Sequence, residues 1–432
     1  MACIFEDDRH ERLRDEVRRF AQERVAPRVA QMETAREVDV ELSALIAAQG
    51  WIGVTIPKVY GGMGLGHVAK TIIIEELARV SGAMGAMVQA SQLGVAKILH
   101  FGSEEQKLTW LPQIAAGTCL PTIAVTEAGS GGHVLGMQGR AVRDGTHYVL
   151  NGAKVFVGNS HIGHVHGVVM RTGPGSGGLS AFLVEADRPG VRLEKPAPTM
   201  GLAGFSFGTV VFEDCRVPVE NLLGEEGDGL KVAYSSSTLY GRPNLAAVAF
   251  GIHRAVVEDT VEYCGRRELY GAPLSAISSV AMKLGGMQSR LMTARLELYH
   301  ATHLLDRGLP CDAELMNAKL VNAESAMDSA RAAMEIFAAR GLHVSHRIER
   351  YLRDVYHIYA PAGTSDIQRL RLSEYAAGTN HEQWSVTLAD RVRADVAPPP
   401  TEADIPPAPA VPTTAVPTAK RRSGAPAFAD PR

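Results

Sequence analysis

The sequence predicts a mostly α-helical protein with a β-domain set between two helical units, and three observations carry that expectation. Apolar residues recur at helical spacing from residue 6 to about 117, as in Leu13, Val17, Phe20 and Ala21. The period becomes that of strands between about 120 and 226. After Gly227 helical spacing returns in three long segments. The expected organisation is an N-terminal helical domain at 1–119, a small β-barrel or sandwich at 120–226, a four-helix-type bundle at 227–390, and a tail at 391–432.

In the first unit, Leu42, Leu45 and Ile46, then Ile72, Ile73, Leu77 and Ala78, mark further helices, with Gly50, Gly61 and Gly62 interrupting them. Ser103 with Gln106 three residues on forms a capping-box pattern opening another helix. In the second unit, Asp144-Gly145 and Asn151-Gly152 act as hairpin signals beside HYVL and AKVFV, and HGVVM, LSAFLVE and GTVVFED supply further strands. The bundle is expected from helices at 229–263, 275–306 and 312–339, followed by shorter ones at 347–356 and 364–377. The tail is rich in Pro, Ala and Thr with a short basic cluster at Lys420, Arg421 and Arg422, the composition of a disordered extension.

A chain of 432 residues that is 46% hydrophobic and 21% charged has the composition of a globular protein with a sizeable core. Its net charge of -3, with no basic stripe, argues against nucleic-acid binding. The charged start MACIFEDDRHERLRDEV lacks a signal-peptide apolar region, and no run approaches the ~20 apolar residues of a membrane span, so a cytoplasmic protein is expected. The five cysteines have no CxxC spacing, which indicates buried reduced thiols. His161, His164 and His166 invite a metal, but strand alternation would divide them between faces and no carboxylate or cysteine cluster accompanies them, so none is expected.

The motifs with chemical content are Ala124-Val-Thr-Glu127 with the glycines after it, Tyr148-Val-Leu-Asn-Gly-Ala-Lys154 leading to Phe156 and Asn159, and Phe212-Glu-Asp-Cys-Arg-Val-Pro-Val-Glu-Asn-Leu-Leu-Gly224. Arg267-Glu-Leu-Tyr-Gly271 and Gly363-Thr-Ser-Asp-Ile-Gln-Arg369 follow. Backbone amides and a hydroxyl after a strand suit the polar edge of a flavin ring, and an aromatic suits its face. In this order and spacing the chain resembles the acyl-CoA dehydrogenase family of flavoproteins, from its first helix to about Leu388. The resemblance implies FAD, with Val125, Thr126, Gly131, Gly132, Phe156 and Gly158 around the flavin. It also implies Arg267 and Tyr270 at a neighbouring subunit's cofactor, Thr364 and Asp366 at the adenosine half, and a homodimer or homotetramer. Read from the residues alone, a helix cap is the alternative for Arg267 and a core position the alternative for Phe156; the shared context favours the cofactor reading for Arg267, Thr126 and Thr364 and leaves Asp366 evenly divided.

Desaturation of a thioester requires a base beside the α-carbon. In most members of the family that base is a glutamate at the position of Ala362, and in others a glutamate at the position of Gly241; this chain has neither. Gly158 replaces a threonine, Gly132-His133 a Ser-Asp pair, Leu239 an aspartate, and Glu335 with Ala338-Ala339 a Gln-x-x-Gly-Gly element. Arg242, which meets the substrate in the family, is retained, and His357, His133 and Tyr240 are the candidates for substitute catalytic groups. The expected function is FAD-dependent oxidoreduction of an acyl thioester, carried by CoA or an acyl carrier protein, with a non-standard base and an electron acceptor or flavin reductase as partner. A flavin monooxygenase on the same fold and a non-catalytic binding protein are the alternatives.

Overall fold

Helix α1 (Asp8–Phe20) starts where Asp7 accepts the amides of Arg9 and His10 and the His10 ring returns to the Asp7 amide, and it buries Leu13 and Val17. A computed structural model describes residues 5–380 and 383–389; the expectations for the tail and for Cys3 fall outside them. Helices α2 (Val29–Ala35), α3 (Val40–Ala47), α4 (Gly66–Val80), α5 (Gly82–Phe101) and α6 (Glu104–Ala115) complete the first unit. The capping box at Ser103 and Gln106 forms as the sequence indicates. Helix α5 is the central rod: of its 20 residues, all except Leu93 and His100 are buried. Glycine makes the close packing possible, since a Cβ on Gly94 would lie 2.6 Å from the Pro121 carbonyl carbon.

The β-domain comprises β1 (Pro121–Ala124), β2 (Arg140–Asp144), β3 (His147–Gly158), β4 (Val165–Arg171), β5 (Leu179–Glu185), β6 (Val191–Leu193), β7 (Phe207–Pro218) and β8 (Leu222–Leu223). The sheet order is β6-β7-β3-β2-β4-β5-β8, with β1 parallel to β4. Asp144-Gly145 opens the turn of the β2–β3 hairpin. Asn151-Gly152 does not make a second one: it lies inside β3, where the register against β7 shifts between Leu150 and Gly152. Gly152 has φ 146 and passes Gly139 so closely that a Cβ would sit 2.7 Å from its Cα, while the Asn151 side chain both donates to and accepts from Asp214. The three histidines have separate partners: Ser160 and the Glu194 carbonyl for His161, the Leu120 amide for His164, and Thr122 for His166. Among the described residues no group of His, Cys, Asp or Glu is arranged to hold a metal, and no helix is long and apolar enough to cross a membrane. Cys119, Cys215, Cys264 and Cys311 are buried free thiols.

The expected helix at 229–263 is two helices, α7 (Gly229–Ser236) and α8 (Arg242–Arg266), joined by a wide π turn at Ser237–Gly241. Pro243 has no N–H for the Leu239 carbonyl, which favours the wider turn. After the short hairpin β9 (Glu268–Leu269) and β10 (Ala272–Pro273) come α9 (Ser278–Asp306), α10 (Asp312–Phe337), α11 (Arg347–Tyr359), α12 (Ser365–Ala376) and α13 (Trp384–Thr387). Ala338, just past α10, has φ 50 and ψ -134, a conformation that belongs to glycine. Replacing Ala338 by Gly is expected to raise unfolding stability by about 1 kcal/mol, read from the urea midpoint, because relief of strain exceeds the entropy gained by the unfolded chain.

A buried charge network joins the two helical units. Arg14 bonds Glu76 at 2.9 Å, Glu6 at 2.9 Å and the Tyr299 hydroxyl at 2.6 Å; Arg254 reaches Glu76 at 2.8 Å and also Glu75, and Tyr299 donates to Glu75. Burial alone would raise the Glu76 carboxyl, but the Arg254 charge and hydrogen bonds from Arg18 and Arg254 outweigh it and hold the group down to about 2. A depressed carboxylate contributes stability that is present above its ordinary value near 4.5 and is lost as pH falls through about 2. The urea midpoint should therefore decline from pH 5 towards pH 2, and Glu76→Gln should flatten that decline.

Candidate active site

A half-exposed residue in the middle of a buried helix marks a cleft, and Leu93 is that residue on α5. Ser237, at the start of the π turn, and Ala362 are also half-exposed. A Cβ on Gly241 would lie 3.3 Å from the Ala362 Cβ and 3.6 Å from both Leu93 Cδ2 and Ser237 Oγ. The two positions where the resemblance expects a glutamate thus lie side by side, so close that a Cβ on Gly241 would crowd the Ala362 methyl.

The loop carrying Ala362 lies between α11 and α12, with φ 54 at Ala362 and φ 91 at Gly363. Its carbonyls are clamped from behind. Lys319 Nζ donates to Tyr359 O at 2.7 Å and Gly363 O at 2.6 Å, and Gln368 Nε2 donates to Ala362 O at 2.9 Å and Gly363 O at 3.0 Å. Arg242 holds the Gln368 amide oxygen at 3.0 Å and also bonds Thr238 Oγ1. Burial lowers both cations, Arg242 to about 10 against the opposing charge of Asp312, and Lys319 to about 8 with the Arg242 charge adding to the effect.

One turn back on α5 from Leu93, Ala90 meets β3. A Cβ on Gly158 would stand 2.9 Å from the Ala90 Cβ and 3.0 Å from Phe205 Cζ, so the Phe205 ring occupies the room that a threonine would need. Phe156, two residues earlier, has φ 57 and is 65% exposed, which removes the core reading. It stacks on Phe207 at 5.6 Å between centroids, Phe207 stacks on Phe205 at 5.8 Å, and His357 stands edge-on to Phe207 at 4.9 Å. Burial lowers the His357 imidazole, which favours its neutral form.

Beside Phe156, Lys154 pairs with Glu127 at 2.7 Å and donates to Val125 O at 3.2 Å, while the Val155 amide donates to Thr126 O at 2.8 Å. Glu127 also accepts the Gln138 and Gly139 amides, which closes the glycine-rich loop on itself. A Cβ at Gly129, Gly131 or Gly132 would meet nothing within 4 Å, so this loop presents open backbone. An open polar backbone edge at Thr126 and the glycines, with an exposed aromatic at Phe156, fits a flat ring that has hydrogen-bonding atoms on one edge, as the isoalloxazine of FAD does.

Other expected site residues lie apart. Arg267 and Tyr270 are on the projecting β9–β10 hairpin, where Tyr270 is 93% exposed and forms a two-residue turn with Gly271 at φ 55 and φ 78. The Arg267 amide bonds Tyr263 O at the end of α8, while the side chain is exposed. Thr364 is the N-cap of α12, but its side chain makes no capping bond; Asp366 is exposed, 3.5 Å from Arg369. His133 is exposed on the glycine loop. Tyr240 faces away from the cleft: it packs edge-on to His67 and His100, with Lys70 Nζ 4.1 Å above its ring, and burial raises its hydroxyl. Leu93, Ser237, Phe205, Phe207 and Lys319 escaped the sequence reading, and Gln368 entered it only as a member of the Gly363–Arg369 motif. The hydroxyl run Ser235-Ser-Ser-Thr238 and the triplet Phe205-Ser-Phe207 were the available signals.

Residues 7–118, 122–215 and 227–376 match, in that order, the N-terminal, middle and C-terminal domains of acyl-CoA dehydrogenase. An acyl-CoA dehydrogenase of Bacillus subtilis is 35% identical over 369 residues, 85% of this chain and 97% of the relative. Butyryl-CoA dehydrogenase from Megasphaera elsdenii superposes with a TM-score of 0.85 at 29% identity, covering 87% of this chain and 100% of the other. The prolyl acyl carrier protein oxidase AnaB superposes with a TM-score of 0.82 at 28% identity, covering 86% and 99%. The chain belongs to the acyl-CoA dehydrogenase family of FAD-binding flavoproteins and is a flavin-dependent oxidoreductase.

Proposed function

We propose that the protein binds FAD along Val125, Thr126, the glycine loop and Phe156 and oxidises an acyl thioester, borne by CoA or an acyl carrier protein, in the cleft beside Leu93, Ser237 and Ala362. The observation that carries this reading is continuity: the segment at Phe156 and Gly158 leads through Ala90 and Leu93 to the adjoining Gly241 and Ala362, with retained Arg242 next to them. Bound flavin supplies the hydride acceptor. The chain's own part is to seat the thioester, exclude water with the Phe205–Phe207 wall, and hold the 359–363 loop in place through Lys319, Gln368 and Arg242. The α-hydrogen, which a glutamate at 241 or 362 would take, leaves as a proton to water or to the neutral imidazole of His357, and the electron pair of its bond forms the double bond as the β-hydride departs. The exposure of Arg267 and Tyr270 supports a site completed by a second copy, in a homodimer or homotetramer.

The test is the absorption spectrum of the purified protein during anaerobic addition of acyl thioesters. Bound flavin that bleaches with a thioester is the expected result; flavin that stays oxidised with a diverse set overturns the reading. A second reading, a flavin monooxygenase served by a separate reductase, draws on the strained Ala338 and on Glu335 being engaged by Lys283, where the resemblance expects an adenosine contact. Weakly held flavin, with product formed only when reduced flavin meets oxygen, would select it.

A further inference from the structure

The β-domain carries a groove of about 400 Å³ between β2 and the loop after β4, walled by Arg140, Arg143, Tyr148, Arg171, Thr172 and Glu226. Arg140 and Arg143 are exposed, and Arg171 spends its donors on the carbonyls of Leu135, Met137, Gly173 and Gly175. None of the three guanidiniums forms an ion pair among the described residues. The one carboxylate in the wall, Glu226, accepts the Tyr148 hydroxyl at 2.7 Å. The groove is therefore open, and its guanidiniums outnumber its acid.

Helix α7 joins this groove to the cleft. Ser180 Oγ bonds Thr172 Oγ1 at 2.8 Å and accepts the Gly227 amide at 3.0 Å, so the groove wall and the entry to α7 are tied together. The helix buries Gly229, Val232, Ala233, Ser235 and Ser236 and leaves Leu230, Lys231 and Tyr234 open, followed by half-exposed Ser237. Those open positions recur every three or four residues and share one helix face. They mark a track from the groove to the cleft along the 8 residues of α7, about 12 Å at the helical rise.

Resting on the thioester reading above, we infer that the Arg140–Arg143–Arg171 groove seats the phosphate at the far end of the substrate's pantetheine arm, with the arm lying along Leu230, Tyr234 and Ser237 and the thioester in the cleft. A phosphate ester on pantetheine is common to CoA and to an acyl carrier protein. Guanidinium forks match phosphate oxygens two at a time, and unpaired ones at the surface are free to do so. The extended arm from phosphate to sulfur is on the order of 15 Å, comparable with the track along α7. The positive excess also draws an anionic carrier towards the mouth of the site.

The FAD-loaded full chain is titrated calorimetrically with pantetheine, phosphopantetheine and CoA as free thiols. Phosphopantetheine is expected to bind at least 10-fold tighter than pantetheine. Arg140→Gln together with Arg143→Gln should bring the two within 3-fold while leaving pantetheine unchanged. Arg192→Gln together with Lys195→Gln, which removes the same charge elsewhere on the β-domain, should preserve the difference. Equal affinities in the unaltered protein, a difference that survives the Arg140 and Arg143 changes, or an equal loss in the control pair overturns the inference. A further gain of at least 10-fold for CoA over phosphopantetheine identifies the nucleotide's phosphates as the occupants. No such gain, with tighter binding of a phosphopantetheinyl carrier protein that the Arg140 and Arg143 changes abolish, identifies the carrier protein. Acyl pantetheines carry no phosphate, so they still bleach the flavin if this inference alone fails; flavin left oxidised by them and by their phosphorylated forms removes the thioester reading instead.

Discussion

Ala362→Glu is expected to accelerate desaturation of an uncharged acyl thioester by at least about 100-fold, the lower end of what a positioned general base contributes. The substitution introduces little new backbone strain, since Ala362 already occupies the left-handed region at φ 54 and the loop is clamped by Lys319 and Gln368. Its side chain starts beside Gly241, which carries no side chain of its own and has Leu93 and Ser237 as neighbours. Ala362→Gln is the control: it matches the volume and polarity but accepts no proton at neutral pH. Single-turnover flavin reduction compares the two. Equal rates for the Glu and Gln variants would show that position 362 is not where the α-hydrogen lies.

Arg14→Ala should lower unfolding stability by about 3–5 kcal/mol, the cost of removing one partner from a buried ionic cluster. The residue is 12% exposed at its side chain and touches Glu6, Glu75 and Glu76, the latter two 2% and 0% exposed at theirs. Without it, two adjacent buried carboxylates depend on Arg254 and Arg18, and the Tyr299 hydroxyl loses a partner. Urea unfolding at pH 7 measures the loss. Combining Arg14→Ala with Glu75→Gln should recover about 1–3 kcal/mol, the usual coupling between contacting groups. A loss below about 1 kcal/mol for the single variant would place the network among weak surface pairs. Because the network ties α1, α4, α8 and α9 together, its loss should also reduce flavin retention indirectly through the packing of α8.

Local signals in the sequence determine the three-part order of the chain, its helices and most of its strands. Ser103 and Gln106 close a capping box whatever surrounds them, and Asp144-Gly145 turns a hairpin from its own dihedral preferences. Asn151-Gly152 carries the same local signal with a different outcome, because Gly139 presses against Gly152 and Asp214 engages Asn151. The absence of a glutamate at 362 and 241 is likewise legible in one dimension. That the two positions converge is not: a Cβ on Gly241 would stand 3.3 Å from the Ala362 Cβ, and residues 121 apart in sequence meet only through the packing of the Ser237–Gly241 turn against the α11–α12 loop. Gly158 looks like a deletion of function until Phe205 is found filling its place. Tyr240, adjacent to Gly241, was a reasonable candidate by position, yet successive residues of a helical turn project in different directions, and its ring is sealed against His67 and Lys70. Sequence alone thus determined most of the elements and that positions 241 and 362 carry no carboxylate, because propensity and residue identity are local. Which side chains share the cleft was decided by tertiary packing, because proximity between distant segments follows from how surfaces fit and not from periodicity.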